Sequence, residues 1–175
     1  MKYYFQISLL CLMLCSCKTC KENGNQKLCS DANWYSGDEL RLDGYYYSEF
    51  DNPPRREIFF LYRNGIMLDG ELVPMDELEL KEESYSNGEY YRIAKDFVSK
   101  WGHYSVSNGK LRFEKLYPNT NNYIAAINDG LIINDSTFHI AMGYRCDGSN
   151  FRIDSMTYHF KKFGPKPDST NQFVP

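Results

Sequence analysis

Histidine is scarce in this 175-residue chain, with three in all, His103, His139 and His159. The patterns that carry the commonest catalytic chemistries are missing: no GxSxG elbow presents a serine, no HExxH pair holds zinc, no glycine pattern cradles a phosphate, and no cysteine stands beside a plausible histidine partner. Paired CxxC units are missing as well, and "CKTC" at 17–20 is only half of such a zinc site. Nor is there an excess of basic residues. Lys plus Arg number 20 against 23 Asp plus Glu, for a formal net charge of -3, without the clustered positive surface that a phosphate backbone demands, so nucleic acid is excluded as a partner. Long apolar runs are also missing: "YYFQISLLCLMLC" spans about a dozen residues, where a membrane helix needs roughly 20.

What is present begins with that short run. Lys2 followed by an apolar segment of this length is the pattern of an export signal. The segment ends in "LCSC", where Leu14, Ser16 and Cys17 stand in an order that resembles the lipobox of bacterial lipoproteins. The resemblance implies removal of residues 1–16, a diacylglyceryl group on the Cys17 thiol and an acyl chain, of the palmitate type, on the new amine. At about 0.8 kcal/mol per buried methylene, two or more chains anchor a protein stably where one is marginal. Lys18 stands where an Asp retains some members of that group at the inner membrane, so the resemblance favours the outer membrane. An ordinary cleaved signal and an uncut anchor are the alternatives. Cys11 and Cys15 would leave with the signal.

An exported, oxidising location lets the remaining cysteines pair. Cys29 lies close to the expected domain and Cys146 beside the turn "CDGSN", which favours a bridge between them. A Cys20 to Cys29 bridge and free thiols stay open. Residues 17–37 read as the anchor and a polar tether, 38–163 as one β domain, and 164–175, with three prolines, as a tail that frays.

Fifteen Tyr and eleven Phe, punctuated by turn dipeptides, favour strands. "IFFLYRNGIMLDGEL" reads as two strands around Asn64-Gly65. In "WGHYSVSNGKLRFEKLYP" a two-residue turn at Asn108-Gly109 sets Val106 opposite Leu111 and Tyr104 opposite Phe113 on a core face. The same turn sets Ser105 opposite Arg112 and His103 opposite Glu114 on a wet face. Turns at Asp129-Gly130 and Asp135-Ser136 would put Ile124, Ala126, Leu131, Ile133, Phe138 and Ile140 on one surface and Ile127, Ile132 and His139 on the other. In the last strand Met156, Tyr158 and Phe160 face inward and Thr157 and His159 outward. Tyr90, Ile93, Ala94 and Phe97 follow a helical period, whereas 76–83 could be strand or loop.

Such a meander removes its edges most simply by closing into a barrel. "LDGYYY" resembles the L-x-G-x-W opening strand of lipocalin-like domains, with Tyr46 at the aromatic position. The fold expected is all-β, a mainly antiparallel lipocalin-like barrel with one short helix; a β-sandwich is the alternative. Inward aromatics either fill a barrel or line a pocket, and Tyr46, Phe59, Tyr104, Phe113, Phe138 and Tyr158 are the candidate lining of a site for a small apolar or amphipathic ligand. The alternative is an envelope lipoprotein that docks on a protein partner through an exposed apolar surface such as Ile127 with Ile132. No cofactor and no metal is expected: the three histidines share an outward face, yet nothing in the sequence makes their strands neighbours. Asp43, Glu57, Asp69 and Glu71 surround the first hairpin, where charge serves solvation. An enzyme is therefore disfavoured.

Overall fold

A computed structural model describes residues 27–120 and 122–174. The signal segment, Cys17 and Cys20 lie outside the described residues. Eight antiparallel strands form a closed barrel in chain order: β1 (Gly44–Asp51), β2 (Pro54–Leu61), β3 (Ile66–Pro74), β4 (Trp101–Ser107), β5 (Lys110–Asn119), β6 (Asn122–Asn134), β7 (Thr137–Arg145) and β8 (Arg152–Lys162). Each strand pairs with the next and β8 returns to β1, so no edge is left open and the sandwich alternative falls away.

The β4–β5 hairpin has the register that its alternation demands, with Val106 opposite Leu111, Tyr104 opposite Phe113 and Ser105 opposite Arg112. Asn108 and Gly109 both adopt positive φ, 53° and 71°, the two left-handed residues of a type I′ turn. The first hairpin turns through a longer loop. There the Tyr62 N–H donates to the Ile66 carbonyl, the Gly65 N–H donates to the Tyr62 carbonyl, and Gly65 alone takes positive φ.

Asp129-Gly130 is not a turn. β6 runs through it unbroken, and its pairing with β7 slips there by one residue in a bulge. A Cβ at position 130 would lie 2.3 Å from the His139 carbonyl oxygen, so the glycine serves close strand approach instead of chain reversal. The extra residue is Ala141 of β7, and β6 keeps its own alternation through the site, so Asn128 and Ile132 share the lumen face. Leu131 and Ile133 face solvent, 51% and 61% exposed, while Ile132 packs against the lumen. Ile127 is buried as well, so the docking surface expected from Ile127 with Ile132 does not exist.

Part of the barrel wall is buried on both sides. Inside, Tyr46, Phe59, Tyr104, Phe113, Phe138 and Tyr158 form one cluster with Leu61, Met67 and Leu111. Outside, Tyr45, Ile58, Phe60, Leu68 and Trp101 form a second with Tyr85 and Tyr90. The second cluster exists because the β3–β4 connection folds over the wall as α1 (Leu78–Ser86) and α2 (Glu89–Ala94). Residues 76–83, open between strand and loop, enter a 3-10 turn and α1; only Leu78 and Tyr85 of α1 are buried, too few apolar positions for a helical period to show. Tyr85 meets Phe60 edge to face at 5.0 Å, and the Trp101 indole N–H donates to the Ala94 carbonyl at 2.8 Å.

The first and last described segments pack on this frame. The turns joining β2–β3, β4–β5 and β6–β7 share one end, and residues 33–42 close it: the Tyr35 and Arg41 N–H groups donate to the Arg63 and Asp135 carbonyls, and Tyr35 and Leu40 join the inner cluster. The expected tether is thus folded against the barrel over its last residues. The tail lies on the outer wall instead of fraying. Lys166 donates to the Leu42 and Leu61 carbonyls, the Tyr62 hydroxyl donates to the Pro167 carbonyl, and Val174 is buried. Burial pushes the Lys166 amine down to about 8.

Phe113 touches Phe59, Tyr104 and Phe138, whereas Arg112 forms an outer ion pair with Asp129. Phe113→Ala is expected to cost about 3 to 5 kcal/mol, and Arg112→Ala about 1 kcal/mol or less. Denaturant melts of both variants check the register; equal losses would contradict it.

Candidate functional site

The closed end is filled, and the opposite end is not. Tyr104 donates its hydroxyl to the Tyr62 carbonyl and Tyr46 to the Asp135 carbonyl, so both rings are fixed at the closed end. Phe138 stacks on Tyr158 at 4.9 Å in mid-barrel. Beyond it a pocket of about 210 Å³ lies toward the mouth, the end formed by the β1–β2, β3–β4, β5–β6 and β7–β8 loops. Phe59, Met67, Phe113, Ile140, Met156 and Tyr158 make its apolar wall, and Glu57, Tyr117, Asn128, Arg152 and Asp154 its polar part. Of the six candidate lining residues, Phe59, Phe113 and Tyr158 border the pocket; Tyr46, Tyr104 and Phe138 do not. A larger groove of about 620 Å³ lies on the outer wall beside Arg112, Asp129 and Leu131, open to solvent and without the aromatic lining of the lumen.

The polar half of the lumen follows from the same alternation as its aromatic half. Glu57 shares the face of Phe59, and Lys115 the face of Phe113, so strand parity alone sends both inward. Of the acidic group around the first hairpin, Asp43 pairs with Arg41 and Glu71 with Lys81 and Lys100 near the surface, but Glu57 and Asp69 point into the barrel. Asp69 accepts from Lys115 in an ion pair. Burial opposes the Lys115 charge, yet Asp69 with the other neighbouring negative groups holds its pKa above the ordinary lysine value. Arg152 pairs with Asp154 at 2.9 Å and donates to Asn128 at 2.8 Å. Glu57 accepts from the Tyr158 hydroxyl at 2.5 Å. Burial raises its carboxyl pKa above the usual range in spite of that bond.

A second polar cluster sits on the outer wall, and it overturns the wet-face reading of His103 and Glu114. Their side chains are 4% and 1% exposed, with His103 Nε2 3.2 Å from Glu114 Oε2 and 2.9 Å from the Ser30 carbonyl. The Ser30 hydroxyl donates to Glu114 at 2.8 Å and the Cys29 N–H donates to its other oxygen. Burial tends to raise the Glu114 pKa, but these bonds together hold it below the ordinary value. Cys29 is joined to Cys146 by a disulfide, with Cα atoms 6.0 Å apart. The N-terminal segment is therefore pinned beside the mouth and leads from there to the closed end. His139 meets Thr157 and His159 lies beside Tyr47, each with partners of its own. Among the described residues the one grouping of three metal-ligand types is Cys29, Glu114 and Cys146, two of which the disulfide consumes.

No family model matches the chain, and neither a curated protein nor a solved structure is significantly similar to it.

A carboxylate whose pKa is depressed by folding contributes stability that is present above its unfolded pKa, about 4.3 for Glu, and lost as pH falls through the folded value. Glu114→Gln should therefore weaken the protein at neutral pH and flatten its loss of stability on acidification, read as the denaturant midpoint against pH. An unchanged acid profile would show that Glu114 is not the group responsible. The disulfide closes a loop of sequence separation 117. Its removal in Cys146→Ser should cost up to about 4 to 5 kcal/mol on the chain-entropy model, and peptide mapping without reduction should recover Cys29 and Cys146 linked.

Proposed function

We propose that the protein is an exported lipoprotein, acylated at Cys17 and held at the outer membrane, whose barrel admits a small amphipathic molecule to its lumen. The observation that carries the binding reading is the pocket at the mouth, an apolar aromatic wall with a few convergent polar groups that give a ligand orientation. Its volume of about 210 Å³ is small. At roughly 30 Å³ of liquid volume per water it holds about seven waters, or a ligand of about seven to ten non-hydrogen atoms, with a longer body reaching out through the mouth.

The anchor reading rests on "LCSC" after the apolar segment. The bridge to Cys146 supports its connection to the pocket, because it ties the anchor side of the chain to the β7–β8 loop at the mouth. Residues 18–28 can extend by at most about 40 Å, so the pocket stays close to the bilayer that supplies amphipathic molecules. A second reading, docking on an envelope protein, is favoured by one observation: Leu80, Ile93 and Phe97 stand exposed on the helical connection.

Cys17→Ser should abolish acyl labelling and leave the signal uncut; unchanged labelling and mass would overturn the anchor. Met156→Trp, which fills the pocket, should abolish uptake of short-chain amphiphiles followed by calorimetry, while Leu80→Glu with Ile93→Glu should leave it unchanged. The opposite pattern, with capture of an envelope protein lost in the helix variant alone, would favour docking.

A further inference from the structure

We infer that the lumen pocket selects a ligand carrying a primary ammonium group, which Glu57 receives. The inference rests on the reading that the pocket takes a ligand, and adds its chemical class. Charged side chains reach the mouth half of the lumen from three sides: Glu57 from β2, Asp69 from β3 with Lys115 of β5, and Arg152 with Asp154 from β8. The remaining strands contribute Ser48, Gly102, Asn128 and Ile140, none of which titrates, and the phenols there are Tyr117 and Tyr158.

Pairing leaves one charge over. Arg152 is committed to Asp154 and Lys115 to Asp69. Among the described residues no ion pair includes Glu57, whose one hydrogen-bond partner is the Tyr158 hydroxyl, on Oε2. Three carboxyls against two cations give this half of the lumen one formal negative charge when all are ionised. Lys115 is near enough to attract the Glu57 charge but is held by Asp69, and a carboxylate set against Phe59 and Tyr158 without a cation in contact is costly. An ammonium group delivered by the ligand supplies the missing charge and donates to the carboxylate, while a short alkyl or aryl body lies along Phe113, Ile140 and Met156. A ligand carboxylate would instead meet a like charge. The raised pKa of Glu57 agrees with this arrangement: burial opposes its charge, and an ammonium beside it would favour that charge.

The test titrates the protein with n-hexylamine, hexan-1-ol and hexanoate at neutral pH, by calorimetry and by the NMR shifts of the Met67 and Met156 methyl groups, which border the pocket. The expected order of affinity is amine, then alcohol, then carboxylate. Glu57→Gln, which retains an acceptor for Tyr158, should weaken the amine by about tenfold or more and leave the alcohol within about twofold. Retained alcohol binding shows that the variant is folded. In the wild type, amine binding should weaken as pH falls through the range in which Glu57 takes up a proton, and alcohol binding should not. Hexanoate binding as tightly as the amine, or equal losses for amine and alcohol in Glu57→Gln, would overturn the inference while leaving lumen binding intact. If none of the three probes moves the Met67 and Met156 methyls, lumen binding itself fails and the inference goes with it.

Discussion

The return of β8 to β1, in which Gly44 to Tyr47 pair with Lys162 to His159, is the constraint on which the rest of the molecule depends. Once the sheet closes, every inward side chain has a fixed and limited volume to fill, and every strand has a second face that must be either wetted or covered. The excess of aromatic residues is resolved by that division. One set, from Tyr46 to Tyr158, fills the lumen, and a second, from Tyr45 to Trp101, holds the helical connection and the tail on the outer wall. Tyr45 and Tyr46, adjacent in sequence, serve opposite sides of the same wall.

Closure also makes the two ends unequal. At one end Tyr35 and Leu40 of the N-terminal segment join the inner cluster, and the hydroxyls of Tyr46 and Tyr104 are spent on backbone carbonyls. At the other end polar side chains replace aromatic ones, and the packing leaves room. The segment that blocks the first end is held near the second by Cys29, through its bridge to Cys146 and the bond from its N–H to Glu114. Removing one partner of the buried His103–Glu114 pair would strand the other's charge or hydrogen-bonding capacity away from water. The pair is therefore a fixed support for the segment that crosses it.

Ion pairs inside a small barrel are expensive, and Lys115 with Asp69 contributes less to stability than an apolar pair of the same volume often would. What these groups provide is a lumen with one polar half and one apolar half, in which Glu57, among the described residues, is the carboxyl without a cation in contact. That asymmetry suits an amphipathic occupant oriented by its polar group, and it lies at the end of the barrel to which the N-terminal segment is tied.

Much of this architecture was legible in local pattern. Period-two alternation fixes which residues of a strand share a face, so Tyr104 with Phe113, and Met156 with Tyr158, were determined by the sequence itself, as was the hairpin at Asn108-Gly109, where two positive φ values need residues that tolerate them. Alternation cannot report an extra residue in one strand. Asp129-Gly130 has the composition of a turn, yet in the assembled sheet Gly130 lies against the His139 carbonyl, the extra residue is Ala141 of β7, and β6 runs straight on, which leaves Ile132 facing inward with Asn128. Nor can alternation say whether an outward face meets water. His103 and Glu114 face outward as their parity requires, yet are buried because a segment more than seventy residues distant in sequence folds over them. The sequence by itself determined the faces, because a side chain's direction is a property of its own backbone; the tertiary structure decided what each face meets, because burial depends on segments that only folding brings together.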